Sequence, residues 1–339
     1  MTTKTKKPLD TVNLAEEVSR GSDETGKLHA RLARYHSAKQ RALVNLETLK
    51  ILQPADDFTA ARYRAGAVRL VDCGNYLAFR QYYTVGKTRL HKAAFCKQHL
   101  ICPLCAIRRG AKTLDAYLKR YRFIMAQNPT WKLSMITLTV KNGDDLEERF
   151  KHLQKSVARI FERRRDYLKK GRGKTEFRKI HGYVGTYEVT KDNGFREVKE
   201  TGWHPHAHIM VLHTTTFDYA ALQSEWKEIT GDSHVLNVTA AKHPDEPELD
   251  FLEVFKYAVK FSDLKPLENI HAWDVLRARR LLFSGGAFRG VEVPEELEDE
   301  PLDDLPYIEL FYRHTANGYS LVSTGAAAGV VDGADAATV

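Results

Sequence analysis

From Lys132 onward the apolar positions switch repeatedly between a strand texture and a helix texture. KLSMITLTVKNG is rich in β-branched residues and closes on a glycine, which predicts a strand. DDLEERFKHLQKSVARIFERRRDYLKKGRG has apolar residues at i, i+3 and i+4, acids at its start, and bases and glycine at its end, so it predicts a helix matched to its own dipole. GYVGTYEVT and HPHAHIMVLH follow as two strands joined by the polar KDNGFREVKETGW, an antiparallel hairpin with a long tip. DYAALQSEWKEITG predicts a helix, HVLNVTAA a strand, and LDFLEVFKYAVKFSDL another helix. The order is βαββαβ with one more helix. It predicts an α+β fold of the split ferredoxin-like kind, an antiparallel sheet with helices packed on one face.

Flanking this pattern, residues 1 to about 24 read as a polar arm, and TGKLHARLARYHSAKQRALVNLETLKIL predicts a basic amphipathic helix that ends before Pro54. CPLCAIRRGAKTLDAYLKRYRFIMAQNPTW predicts a helix stopped near Asn128 and Pro129. Past the last helix, RARRLLFSGGAFRG is basic and punctuated by glycine, IELFYRHTANGYSLV predicts a hairpin around Asn317 and Gly318, and the final TGAAAGVVDGADAATV reads as disordered. The resulting division is an arm and basic helical region over 1–65, a cysteine-rich segment over 66–128, the sheet domain over 129–266 and a C-terminal extension over 267–339.

Composition places the 339 residues among globular chains, with 43% hydrophobic and 28% charged. No apolar run approaches the ~20 residues that span a bilayer. The lysines at the start have no apolar segment behind them, so a bacterial cytoplasmic setting is the expectation. The formal charge of +8 understates the basic surface: VEVPEELEDEPLDDLPYIEL, residues 291–310, holds nine of the 44 acids and no Lys or Arg. Against the remaining 35 acids stand all 52 bases, an excess of 17. Such an excess suits a polyanion, because neutralising phosphates releases counterions.

Chemistry concentrates in three places. In TGWHPHAHIMVLH, His206 and His208 alternate along a strand and so share a face. His204 joins them only if the strand continues through Pro205, and proline, which cannot donate to a ladder, speaks against that. Two imidazoles leave an open coordination sphere that calls for a carboxylate, and Glu188 is the only acid within GYVGTYEVT and HPHAHIMVLH. Two histidines and a carboxylate suit Mn, Mg, Zn or another divalent ion.

In FLEVFKYAVKFSD, Glu253, Tyr257 and Phe261 fall at i, i+4 and i+8, and Lys260 lies three after the tyrosine, so a helix brings them to one side. A phenol beside a carboxylate and an ammonium has the parts for nucleophilic phosphoryl transfer, with Lys260 steadying the charge. Taken alone, the same helix reads better as an amphipathic helix with an ordinary tyrosine at the core edge.

The four cysteines, Cys73, Cys96, Cys102 and Cys105, all lie within FCKQHLICPLC or shortly before it. In a reducing compartment that clustering predicts a closed structural zinc site. The Cys-x-x-Cys pair is a strong half of the signal; the x5 gap after Cys96 is unusual, and His91 and His99 are alternatives to Cys73 as fourth ligand. Arg108 and Arg109 follow directly and are candidates for contact with DNA.

In order and spacing, MITLTV, HPHAHIMVL and EVFKYAVK resemble the three motifs of the HUH endonucleases. Within that superfamily the chain is similar to the single-tyrosine rolling-circle replication initiator (Rep) proteins of small bacterial plasmids, over about Cys73 to Gly290, including CGNYLAF, FCKQHLICPLCAIRR and RRLLFSGGAFRG. The resemblance implies an HUH-type ferredoxin-like sheet preceded by a cysteine-rich zinc segment and an N-terminal helical region. It implies that His206 and His208 bind Mg or Mn, that Tyr257 becomes joined to the 5′ phosphate at a nick, that Lys260 assists, and that Glu253 activates the water that ends the reaction. Phe261 stands where two-tyrosine members carry their second nucleophile, which counts against relaxases and two-tyrosine transposases.

The expected function is initiation of plasmid rolling-circle replication by nicking and joining one strand at the origin, with a host helicase, DNA polymerase and single-strand binding protein as the partners the resemblance implies. The chain carries no P-loop pattern and the chemistry needs no nucleotide cofactor. Two other readings share parts of the pattern: a single-tyrosine HUH transposase, and a non-enzymatic zinc-containing DNA-binding repressor.

Overall fold

The computed structural model describes residues 24–192, 201–255, 264–292 and 305–326. They divide into two compact units, one of Arg20–Gln98 with Asp299–Val339 and one built on His99–Glu298.

In the first unit, the expected basic helix is α1, Glu24–Ile51, which buries Leu28, Leu32, Tyr35, Leu46 and Leu49 along one stripe. A second helix, α2, spans Asp57–Val71 and is capped by Asp56, whose carboxylate accepts the Thr59 N–H at 2.8 Å. Lys39 of α1 is almost fully buried and donates to the carbonyls of Val71 and Cys73 at 3.2 and 2.7 Å and to Asn75 Oδ1 at 3.0 Å. These three acceptors offset the cost of burying an ammonium and fix the chain around Cys73. The hairpin of β1, Tyr76–Tyr82, and β2, Lys87–Ala93, is extended by the last two strands, β8, Ile308–Thr315, and β9, Gly318–Ala326, in the order β2-β1-β8-β9. The C-terminal hairpin is the one predicted around Asn317 and Gly318. Its pairing with β1, far back in the chain, is a non-local contact that a local pattern does not carry.

The second unit begins with α3, Pro103–Gln127, and continues through β3 (Lys132–Thr139), α4 (Leu146–Lys170), β4 (Ile180–Asp192) and β5 (Gly202–His213). It then adds α5 (Tyr219–Thr230), β6 (Leu236–Ala240), α6 (Pro247–Phe255), α7 (Pro266–Leu276) and β7 (Leu282–Gly286). The strands form one antiparallel sheet in the order β6-β3-β5-β4-β7. Its first four members are the sheet expected of the βαββαβ order. β7 is an added edge strand, supplied by the glycine-punctuated LFSGG. Gly286 there has φ 59°, and a Cβ on it would run into the His181 carbonyl, so the close approach of β7 to β4 requires glycine.

Helix α4 carries the caps its sequence predicts. Asp145 accepts the Glu148 N–H at 3.1 Å, and Gly171, at φ 63°, closes the other end with its N–H on the Tyr167 carbonyl. With α5, to which it is tied by Arg163 and Glu228 at 2.6 Å, α4 covers one face of the sheet, where Phe150 and Phe161 meet Tyr187 and Tyr183. The opposite face is covered over part of its length by α3 and α6, with Leu114, Leu118, Phe251 and Phe255 packed on Leu133, Val184, Met210 and Leu212.

The expectation that Pro205 interrupts β5 is overturned. β5 runs unbroken from Gly202, pairing Pro205 with Val189 and His204 with Thr190 of β4. The reason lies on the other side: the last pair between β3 and β5 is Thr139 with His206, so at Pro205 β5 has a ladder towards β4 only. That is the edge setting in which a missing N–H is tolerated.

Candidate functional site

Because β5 is regular, His204, His206 and His208 project from the same face as Met210 and Leu212, beyond the end of the hydrophobic core formed with α3 and α6. The register sets Glu188 of β4 opposite His206, and Thr137 of β3 and Thr186 of β4 opposite His208. Glu188 Oε2 lies 3.2 Å from His206 Nε2 and 3.7 Å from His208 Nε2. One donor atom from each residue falls within 4.8 Å of the others. All three side chains are buried, Glu188 completely.

The second nitrogen of each ring is engaged elsewhere. His206 Nδ1 lies 3.2 Å from the His204 carbonyl, and His208 Nδ1 lies 2.9 Å from the Thr137 hydroxyl. The His204 carbonyl can only accept, so it favours a proton on His206 Nδ1, and the Thr137 hydroxyl can accept from His208 Nδ1 in the same way; that tautomer is the one in which each Nε2 can ligate a metal. Two imidazole nitrogens and one carboxylate oxygen are a donor set for a divalent cation. The residues therefore fit the ion that their types predict. His204 stands outside the group: its Nδ1 lies 2.5 Å from Asn142 Oδ1, and its ring sits beside that of His206 at 5.3 Å between centroids.

Helix α6 lies on this same face, and its residue Val254 reaches the strand beside the histidines. Thr186 Oγ1 donates to the Val254 carbonyl at 2.6 Å, and Val254 belongs to the last turn of α6. Glu253 falls in α6; Tyr257, Lys260 and Phe261 lie outside the described residues. Tyr187, the neighbour of Glu188, is no rival nucleophile. Alternation turns it to the opposite face against Phe150 and Phe283, where burial pushes its phenol well above the ordinary range and keeps it protonated.

Of the four cysteines, Cys73 and Cys96 belong to the first unit and Cys102 and Cys105 to the second, and none is in a disulfide. The Cys96 N–H points at Cys73 Sγ at 3.4 Å, a polarity that favours a thiolate. The unusual x5 spacing is accommodated by Lys97, whose φ of 60° turns the chain directly after Cys96. His99 Nδ1 lies 3.4 Å from the Arg109 guanidinium. Arg108 and Arg109 are exposed in the second turn of α3.

Thr137, Thr186 and Asn142 were not singled out from the sequence. Their signal is positional: the parity of the threonines in MITLTV and GTYEVT matches that of the histidines only once the strand register is known.

A protein family described as Replication protein matches residues 87–310 of the chain. The chain is 28% identical over 202 residues to a Protein rep of Staphylococcus aureus, covering 57% of this chain and 81% of that protein. It is 27% identical over 275 residues to a Protein rep of Streptococcus pneumoniae, covering 76% and 80%. With a Protein rep of Bacillus amyloliquefaciens the identity is 26% over 321 residues, covering 84% and 88%. No solved structure matches the chain. Among the described residues no helix is long and apolar enough to cross a membrane.

Proposed function

The chain belongs to the replication-protein family, and from that membership and the histidine sheet we propose that it initiates plasmid rolling-circle replication by nicking and rejoining one strand of origin DNA. The observation that carries the reading is the convergence of His206 and His208 on Glu188, on the sheet face where the last turn of α6 is bonded to Thr186. Tyr257 follows Val254 by three positions, at most about 11 Å of chain.

His206, His208 and Glu188 would hold a divalent cation, Mg or Mn, which when bound draws charge from the non-bridging oxygens of a phosphodiester. The His204 carbonyl would hold the proton on His206 Nδ1, and Thr137, accepting from His208 Nδ1, would orient that ring for ligation through Nε2. Tyr257 loses its proton and attacks phosphorus, so that an O–P bond forms to the phenol oxygen while the P–O3′ bond breaks and the 3′ oxygen leaves as a hydroxyl after taking a proton. Lys260 balances the negative charge of the phosphate or phenolate. Because one phosphate ester replaces another, the bond energy is conserved and no nucleotide is consumed. Glu253, four residues before Tyr257, accepts a proton from the water that later releases the protein from DNA.

In this reading the cysteine group would hold a structural zinc, and Arg108 and Arg109 meet the DNA backbone. A host polymerase would extend the free 3′ end while a host helicase opens the duplex and a single-strand binding protein covers the displaced strand. The test is to incubate the purified chain with supercoiled plasmid carrying its origin and with Mg or Mn. Open-circle product that forms only with the ion, and not on plasmid lacking the origin, supports the reading; an intact supercoil under all conditions overturns it.

A further inference from the structure

The edge of the sheet beyond Glu188 holds a second feature, on the far side of β4 from the histidines. A cavity of about 270 Å³ is lined by Gln154 of α4, Tyr187 of β4, Phe283 and Ser284 of β7, and Arg280 and Arg289 on either side of β7. No acid lines it. The basic residues nearby divide into two kinds. Arg277 and Arg279 are ion-paired, with Asp274 at 3.4 Å and Glu147 at 2.6 Å. Arg280 donates from Nε to the Leu282 carbonyl at 3.1 Å, which fixes its direction, and among the described residues it makes no ion pair. Arg289 makes none either, and both are exposed.

β7 is also the outermost strand of this sheet. The Leu281 carbonyl accepts the Tyr187 N–H at 2.9 Å, so by alternation Ser284 directs its own N–H away from β4. Two guanidiniums that make no ion pair among the described residues, an outward backbone donor and an apolar wall of Tyr187 and Phe283 make a site for a phosphate with an attached apolar or aromatic group. We infer that this cavity binds a phosphodiester of single-stranded DNA away from the scissile phosphate, gripping the strand at the sheet edge while the histidine face acts on it. The inference rests on the proposed nicking function, since it takes its ligand to be the same class of DNA.

The test is fluorescence anisotropy of a labelled single-stranded oligonucleotide bound to the full chain without divalent ion, across a range of KCl. Arg280→Gln with Arg289→Gln is expected to weaken binding about tenfold and to lower the slope of log K against log salt by about 0.7 to 1.4, the loss of one or two phosphate contacts. Arg165→Gln with Arg172→Gln, two exposed arginines elsewhere, removes the same charge and should change affinity less than twofold. Arg280→Lys with Arg289→Lys should fall between wild type and the glutamine pair, because charge is kept and the fork is lost. Equal weakening in both glutamine pairs, or none in the cavity pair, overturns the inference, as does displacement of the oligonucleotide by millimolar thymidine monophosphate, which would mark a free-nucleotide site. Wild-type protein that binds no single strand would overturn the nicking function as well, whereas binding indifferent to the cavity overturns this inference alone.

Discussion

Thr186 donates its hydroxyl to the Val254 carbonyl at 2.6 Å, joining the last turn of α6 to the strand that carries Glu188. One end of this bond belongs to the metal group's own strand and the other to the helix that leads towards Tyr257. Thr186→Val keeps the shape and removes the bond. Loss of a hydrogen bond of about 1 kcal/mol in positioning predicts a fall of about fivefold in the single-turnover nicking rate, with Mn affinity unchanged. A variant that nicks at the wild-type rate would show that the bond only holds the fold.

Glu188 is the acid of the donor set and is fully buried against both imidazoles. Glu188→Ala is expected to weaken Mn binding, followed by calorimetry, by at least about tenfold, the lower bound for disturbing even an outer contact of a metal site. Unchanged affinity would retire Glu188 as a ligand. Thr137→Val should give a smaller loss in the same titration, since His208 would keep its lone pair but lose the partner that orients its ring.

For Glu253 the expected effect separates two steps. Glu253→Ala should cut a labelled origin oligonucleotide at near the wild-type rate while protein-bound DNA accumulates, because only the water attack needs a base. Loss of cutting and release together would assign Glu253 to folding or to the metal site instead.

The cysteine group predicts a bound metal that matters to stability. Protein purified without chelator should carry one zinc per chain, and Cys102→Ser, which alters a fully buried sulfur, should lose the zinc and melt several degrees lower. Protein that holds no zinc and melts unchanged after chelator treatment would contradict this.

The core of the architecture was legible because its signals are local. The caps of α4, the parity of the histidines and the alternation of MITLTV each survive in the folded chain. Pro205 misled because a proline's cost depends on which neighbour its missing N–H would have met, and that depends on where β3 stops. β7 was unreadable for a related reason: LFSGG is short and glycine-rich, and only its fit against β4 makes it a strand. Thr186 and Thr137 gain meaning from register, which pairs residues from three separate strands. Tyr257 is an expectation from the family resemblance together with its spacing from Glu253 and Lys260, and both Tyr257 and Lys260 fall outside the described residues.

The central claim is that Tyr257 attacks the phosphate held at the histidine pair. Its most direct measurement is denaturing electrophoresis of the protein after incubation with Mn and a 3′-labelled single-stranded origin oligonucleotide, comparing wild type, Tyr257→Phe and His206→Ala with His208→Ala. The account predicts a protein–DNA adduct in wild type, mapped by mass spectrometry to Tyr257, and none in either variant. An adduct that persists in Tyr257→Phe, or one that forms equally well without the two histidines, would contradict it.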